Sequence, residues 1–294
     1  MRPTRFTYLS PTSAAEALEQ LARHGPAASL LAGGQSLVPL MNLRIARPGV
    51  IVDLNRCSDL FYLREQPDAV HIGAMQRQGA VEHDPVVRAR CPLLAQALPY
   101  VGYPVHRMRG TLGGSFAQAD PAAELPGVAV ALDARFVIDG PNGARQVAAA
   151  DFFVSQLTTA IGPGEMLREI RFPIAPAAAR ASFVESGVRR HDVAIAGIAA
   201  QVLLLPDRRC ADARIAAIGV GDRPLRLTEA ERELNGREID TAAINRSADA
   251  ALAAISPRSD TLASAEYRRK LVAALLRRAL RNIAASDTET HHAR

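Results

Sequence analysis

The sequence predicts an α+β protein with a divided first domain and a smaller second one. Three observations carry that expectation. A chain of 294 residues exceeds what one hydrophobic core ordinarily organises. The N-terminal stretch alternates short apolar runs with helix-spaced ones, the order of a small α/β unit. Beyond residue 176 the pattern changes to strands followed by helices, which marks a separate α+β domain.

Taken in order, residues 6–10 read as a short strand ended by Pro11. Ser13 and Glu16 fit a capping box, and Ala15, Leu18, Leu21 and Ala22 line one helical face as far as His24-Gly25-Pro26. A strand over 28–32 runs into Gly33-Gly34, a short helix interrupted by Pro39 follows, and 50–54 is the next strand. Past Cys57 come a strand at 70–74, short helices at 76–82 and 85–90, and a longer helix from Pro92 with Leu93, Leu94, Ala97, Leu98 and Val101 inward. A strand over 134–139 turns through Pro141-Asn142-Gly143, a hairpin signal, and 167–174 is one more strand before a linker at 173–179. Residues 183–188, 194–205 and 213–220 read as antiparallel strands, and 228–234, 241–254 and 264–284 as helices. The expected divisions are therefore 1–176, itself split into 1–56 and 57–176, then 177–286 and a polar tail at 287–294.

Composition excludes several classes. The formal charge is +5, yet Lys270 is the only lysine, Arg alternates with Asp and Glu, and aromatics are 4% with no Trp. A basic stripe interleaved with stacking rings is missing, so no nucleic-acid partner is expected. Cys57, Cys91 and Cys210 are odd in number and far apart, which suits buried reduced thiols rather than a zinc or iron–sulfur site. No metal is expected in this chain. No run approaches ~20 apolar residues and the N-terminus has no apolar signal region, so a cytoplasmic protein without a membrane span is expected.

Two stretches carry chemistry. Ala32-Gly33-Gly34-Gln35-Ser36 and Thr111-Leu112-Gly113-Gly114-Ser115 are both hydroxyl-flanked double-glycine loops. Glycine amides approach an anion closely, and an amide-lined loop ahead of a helix suits a phosphate. One such loop is most often only a turn. Two converging loops suit a pyrophosphate, and hence a dinucleotide, with Ser36, Thr111 and Ser115 as added donors. Neither loop is a Walker or a Gly-x-Gly-x-x-Gly pattern. Asp120 either caps a helix beginning at Pro121, with Glu124 in its first turn, or joins Glu124 in holding ribityl or ribose hydroxyls. His106, Arg107 and Arg109 precede the second loop and are either phosphate partners or solvated surface charges.

These residues resemble the FAD-binding, or medium, subunit of the molybdenum hydroxylases, the group that includes carbon monoxide dehydrogenase and the FAD region of xanthine dehydrogenase. The resemblance rests on both loops, on Asn42-Leu43-Arg44-Ile45-Ala46-Arg47-Pro48, on Arg107-Met108-Arg109-Gly110, on Asp120-Pro121-Ala122-Ala123-Glu124-Leu125-Pro126 and on Arg189-Arg190-His191-Asp192-Val193-Ala194. It covers about residues 6–284.

The resemblance implies a two-part FAD-binding domain of the PCMH/vanillyl-alcohol-oxidase type followed by a small α+β C-terminal domain. It implies noncovalent FAD, with Ser29, Leu30, Leu31, Ala32, Gly33, Gly34, Gln35, Ser36 and Leu37 on one side of the pyrophosphate. On the other stand Arg109, Thr111, Leu112, Gly113, Gly114 and Ser115, with Asp120 and Glu124 as acidic contacts and Leu167 as an apolar one. The implied partners are a large molybdopterin-binding subunit and a small [2Fe-2S] subunit in a dimer of heterotrimers. The implied role is electron transfer from those clusters to an external acceptor, with no substrate oxidation by this chain alone. The alternatives are a redox-silent nucleotide-binding scaffold subunit and a stand-alone flavin oxidase. Three positions depart from the family pattern: Gln35 stands where carbon monoxide dehydrogenase-like members often have His, no lysine occurs near Val184-Glu185, and Val193 replaces an aromatic.

Overall fold

The computed structural model describes residues 2–285; the expected tail at 287–294 lies outside the described residues. The N-terminal part is β1 (Thr7–Leu9), α1 (Ala14–His24), β2 (Ala28–Leu31), α2 (Leu37–Asn42) and β3 (Val50–Asp53). Its three strands form a parallel sheet in the order β1-β3-β2. Ser13 Oγ accepts the Glu16 N–H at 3.2 Å and so caps α1. The Glu16 carboxylate returns to the Thr12 N–H at 2.7 Å, one residue earlier than a capping box requires. Pro39 does not interrupt α2. It sits in the first turn, where its missing N–H would have no helical partner anyway.

The second part holds β4 (Leu63–Glu65), β5 (Ala69–Gly73), α3 (Gln78–His83), α4 (Pro85–Arg90), α5 (Pro92–Ala97), α6 (Pro104–Arg109), α7 (Leu112–Gln118) and α8 (Glu124–Ala131). It continues through β6 (Arg135–Gly140), β7 (Gly143–Ala148), α9 (Ala149–Phe152), β8 (Phe153–Ser155), β9 (Thr158–Thr159) and β10 (Met166–Pro173). Five strands form an antiparallel sheet in the order β4-β5-β10-β6-β7, whose Phe136 and Phe172 join Phe116, Phe152 and Phe153 in one buried cluster. The hairpin between β6 and β7 turns at Gly143, whose φ of 91° is open to glycine. The helix expected from Pro92 ends at Ala97 because Pro99 tightens the next turn into a 3-10 helix.

The last part is an antiparallel sheet of β11 (Ala179–Ser186), β12 (Ala196–Leu204), β13 (Cys210–Ile218) and β14 (Leu225–Arg226), with α10 (Thr228–Arg232), α11 (Thr241–Ala254) and α12 (Ala265–Ala285). Alternation gives that sheet two apolar faces. Val184, Ile198, Ala200 and Ala217 face the helices α10 to α12 as one core. Phe183, Ala199, Ala216 and Ile218 face the five-stranded part and share its core with α5 and α8. Strand β11 stops at Ser186, short of the expected 188, and the chain turns away as an exposed loop through Val188-Arg189-Arg190.

Candidate functional site

The two double-glycine loops meet. Loop one leaves β2 at the C-terminal end of a parallel strand, where open α/β sheets present ligands. A side chain at Gly33 would put its Cβ 2.4 Å from Arg109 O and 2.8 Å from Gly110 Cα, so only glycine lets loop one rest on the end of α6. Ala32 also reaches loop two, in ordinary contact: a Cβ at Gly114 would lie 3.7 Å from the Ala32 methyl.

A polar strut sets that approach. The Asn55 amide donates to Ala32 O at 3.0 Å and its oxygen accepts from Arg77 at 2.5 Å, while Arg77 also donates to Arg109 O. Asp53 accepts from the Asn55 N–H at 2.9 Å and from Tyr8. Sequence reasoning passed over Asn55, Arg77 and Gln78. The available signal for Asn55 was its place just past β3, at the strand end where the ligand-facing loops gather.

The loops differ in what they leave free. Ser36 precedes α2 without a side-chain capping bond and is exposed with Gln35. Among the described residues no carbonyl accepts from the backbone N–H of Gly34, Gln35 or Ser36. In loop two, Thr111 is buried and its Oγ1 accepts the Gly114 N–H at 3.0 Å as the cap of α7. Ser115 Oγ accepts from Gln78 at 2.7 Å, and the Gly113 N–H donates to Ala74 O at 2.9 Å. Leu112 and Gly113 are buried inside α7.

The expected helix at Pro121 does not form. Helix α7 ends at Ala119 in the left-handed region, Asp120 Oδ1 accepts the Ala122 N–H at 2.9 Å in a tight turn, and α8 starts at Glu124. Pro121 O is held by the Gly219 N–H at 2.9 Å, which fastens this turn to the C-terminal sheet. Glu124 is buried, with 8% exposure, and desolvation together with nearby Asp120 pushes its carboxyl up to about 7.

Arg107 is not a phosphate partner. Its guanidinium is buried, grips both Glu82 oxygens at 2.7 and 3.0 Å and donates to Gly102 O at 2.7 Å, so it holds the turn into α6. His106 Nδ1 accepts from the Tyr103 N–H at 3.3 Å. Arg109 stays exposed at the end of α6 beside loop one. Ser29, Leu30 and Leu31 lie half-buried along β2, and Leu37 opens α2. Leu167 is buried in β10 opposite Ile138, one residue before Arg168, whose carbonyl accepts from Ala74 beneath Gly113. It thus sits a layer behind loop two.

Cys57, Cys91 and Cys210 are buried free thiols, pushed up to about 11, about 12 and about 12 by desolvation first. A polar depression of about 430 Å³ lies on another face, over the sheet near Tyr62, Arg64, Asp139 and Arg168, and none of the expected site residues borders it. No helix among the described residues is long and apolar enough to cross a membrane.

The loops present a cradle that only glycine permits, unpaired amides on one side and a capped helix on the other, a chemistry suited to an anion. Residues 4–175 match the family described as the FAD binding domain in molybdopterin dehydrogenase, and residues 181–283 match the CO dehydrogenase flavoprotein C-terminal domain. The chain belongs to the FAD-binding medium subunits of the molybdenum hydroxylases. This subunit is 36% identical over 280 residues to the 6-hydroxypseudooxynicotine dehydrogenase complex subunit alpha of Paenarthrobacter nicotinovorans, covering 95% of each chain. It is 37% identical over 280 residues to the carbon monoxide dehydrogenase medium chain of Afipia carboxidovorans, covering 95% of this chain and 97% of that one. It superposes on carbon monoxide dehydrogenase from Hydrogenophaga pseudoflava with a TM-score of 0.94 at 37% identity, covering 97% of this chain and 99% of that one. FAD is its cofactor, and its class is oxidoreductase subunit.

Proposed function

We propose that this subunit is the electron-transfer component of a cytoplasmic molybdenum hydroxylase, receiving electrons from the [2Fe-2S] clusters of a small partner and delivering them to an external acceptor. In this reading a large molybdopterin-binding subunit oxidises the substrate, and the assembly is a dimer of heterotrimers. The observation that carries it is the meeting of the two glycine loops, in a chain whose three cysteines are buried and dispersed and so offer no cluster ligands. The names of the two relatives above, both dehydrogenase subunits, support it. The same reading divides the chain at residue 176, with 1–56 and 57–176 as the two parts of the FAD domain.

Each wall has its own task. The Gly34, Gln35 and Ser36 amides and the Ser36 hydroxyl would hold pyrophosphate oxygens from loop one. Thr111 and Ser115 keep α7 capped and braced, so that Gly114 stays level with Ala32. Arg109 would add charge, Asp120 and Glu124 would meet hydroxyls, and Leu167 supports the floor. Bound FAD supplies exchange between one-electron and two-electron steps. The chain's part is to orient it and exclude water.

Purify the chain, add FAD and record the visible spectrum, then mix it with reduced partner subunits. A flavin band that the partners bleach is expected. Absence of a flavin band after adding FAD overturns the assignment, and bound flavin that the partners never bleach favours a redox-silent scaffold.

A further inference from the structure

Two acids interact between the domains: among the described residues no cation balances Glu185, and only Arg107, itself gripped by Glu82, acts on Glu124. On β11, Ala181, Phe183 and Glu185 share one face of the sheet, because Ser182 and Val184 point the other way, Ser182 to Asn282 at 3.3 Å and Val184 into the helical core. Phe183 packs on the Tyr100 ring, at 5.2 Å between centroids. Glu185 therefore faces the FAD domain. Its register partner is Gly197, where a Cβ would lie 3.1 Å from that of Glu185 and 2.9 Å from Ile218. A Cβ at Gly127 would meet Ile218 at 2.5 Å, so the first turn of α8, which begins at Glu124, is pressed onto the same row.

Each neighbouring element can be searched for a counter-charge. Helix α5 contributes only Gln96, bonded to Ala181 O and Phe183 N–H; the turn after it contributes Tyr100. Helix α8 contributes Glu124, with Asp120 and Arg107 acting on Glu124 itself. Strand β12 contributes Gly197 and Ala199; β13 contributes Ala216 and Ile218, with Arg214 further along held by Asp212 and Asp133. Arg268 of α12 donates to Ile195 O, Gly219 O and Asp260. The loop after β11 carries Arg189, Arg190, His191 and Asp192, and the first two are exposed.

Glu185 Oε2 is buried without a partner, and so is Nδ1 of His191, whose ring lies 5.1 Å from that of Tyr103, just before α6. Two orphaned polar atoms thus lie on the C-terminal domain, one interacting with Glu124 at the start of α8 and one beside Tyr103. Two carboxyls this close cannot both ionise cheaply. Burial first, and Glu124 second, push Glu185 up to about 8, above the value of about 7 for Glu124.

We propose that Glu185 is a cofactor-positioning residue that holds its proton and donates a hydrogen bond from Oε2 to an acceptor of the bound FAD, so that seating of the cofactor is coupled to protonation of the Glu185–Glu124 pair. This rests on the FAD reading above. Of the cofactor's acceptors, ring carbonyls and unprotonated ring nitrogens suit a neutral carboxyl, whereas an ionised one would repel them.

The test is FAD affinity of the full chain by fluorescence quenching from pH 6 to 9. The dissociation constant of the wild type should be flat below pH 7 and rise towards about tenfold per unit above pH 8. Glu185→Gln, which keeps a donor but cannot ionise, should bind as the wild type does at pH 6.5 and stay flat. A second reading needs no variant: at pH 8.5, mixing wild type with FAD in weak buffer should take up roughly three-quarters of a proton per FAD bound, and at pH 6.5 almost none. A flat wild-type profile, an unchanged slope in Glu185→Gln, or no proton uptake at pH 8.5 overturns this inference alone. No FAD binding at pH 6.5 overturns the FAD reading with it.

Discussion

Loop one and loop two share a double glycine and flanking hydroxyls, yet the fold uses them in opposite ways. In loop one the glycine is needed for contact with a distant backbone, at Arg109 and Gly110, and the amides and hydroxyl beyond it are left free. In loop two Gly113 is needed for contact with Ala74, and both hydroxyls are bonded within the protein. A similar sequence therefore supplies a reaching loop and a bracing loop. In the proposed function the anion would fall mainly to loop one, while loop two would fix the distance.

The largest effect should come from breaking the contact that joins them. Gly33→Ala places a methyl 2.4 Å from a backbone oxygen that Arg77 also holds, so α6 or β2 must move. A loss of about 2–3 kcal/mol in urea unfolding and loss of FAD from the purified chain are expected. Gly113→Ala, 2.6 Å from the Ala74 methyl and 2.7 Å from its carbonyl, should cost as much. If either variant keeps wild-type stability and flavin, the close approach is not what holds the loops.

How much of this could be read from the chain follows the same division. Short-range signals were legible: the Ser13 cap, the Gly143 hairpin, helix 85–90 at Pro85–Arg90 and the strands-then-helices order of the last domain. Both loops were legible as places where a backbone must come close to something. What they come close to was not, because Arg109 and Ala74 are brought there by tertiary packing with no sequence period. Arg107 shows the limit in the other direction. A cation beside a phosphate loop reads as a ligand, and only burial against Glu82 reveals it as a strut. One of the two readings of Glu124 put it in the first turn of a helix from Pro121, and the αL residue Ala119 together with the Gly219 bond displaces that start by three positions.

The turn that follows loop two predicts a smaller effect with a definite sign. The Glu124 carboxyl is held up at about 7 against an ordinary value of 4.5. In the FAD-free chain the unfolded state loses this proton first, so the Glu124 contribution to stability should fall as pH rises from 4.5 towards 7 and level off above that, with the fall due to Glu185 continuing to about 8. Glu124→Gln should flatten that part of the profile and gain roughly 1–3 kcal/mol at pH 8. Thermal melts across this range decide it; parallel profiles for the two proteins would mean that Glu124 is already ionised in the fold.

Capping gives the next step down. Thr111→Ala removes the acceptor for the Gly114 N–H and should cost about 1 kcal/mol of stability. Its FAD affinity should weaken only as far as α7 frays. Thr111→Ser keeps the oxygen and should restore both, and a variant that loses affinity with no change in unfolding would place Thr111 on the cofactor instead.

Ser36→Ala should have the smallest effect on the fold and discriminates most cleanly between the loops. The Ser36 hydroxyl caps nothing and the residue is exposed, so the unfolding midpoint should shift by no more than about 0.5 kcal/mol. If that hydroxyl binds the pyrophosphate, FAD affinity should nevertheless fall by roughly tenfold, the loss of one hydrogen bond to a charged group. The crossed result is what matters. Thr111→Ala should move stability first and affinity second, and Ser36→Ala affinity alone. A Ser36→Ala chain that binds FAD as well as wild type would shift the anion to the Gly34–Ser36 amides by themselves, and the reaching loop would then act through its backbone only.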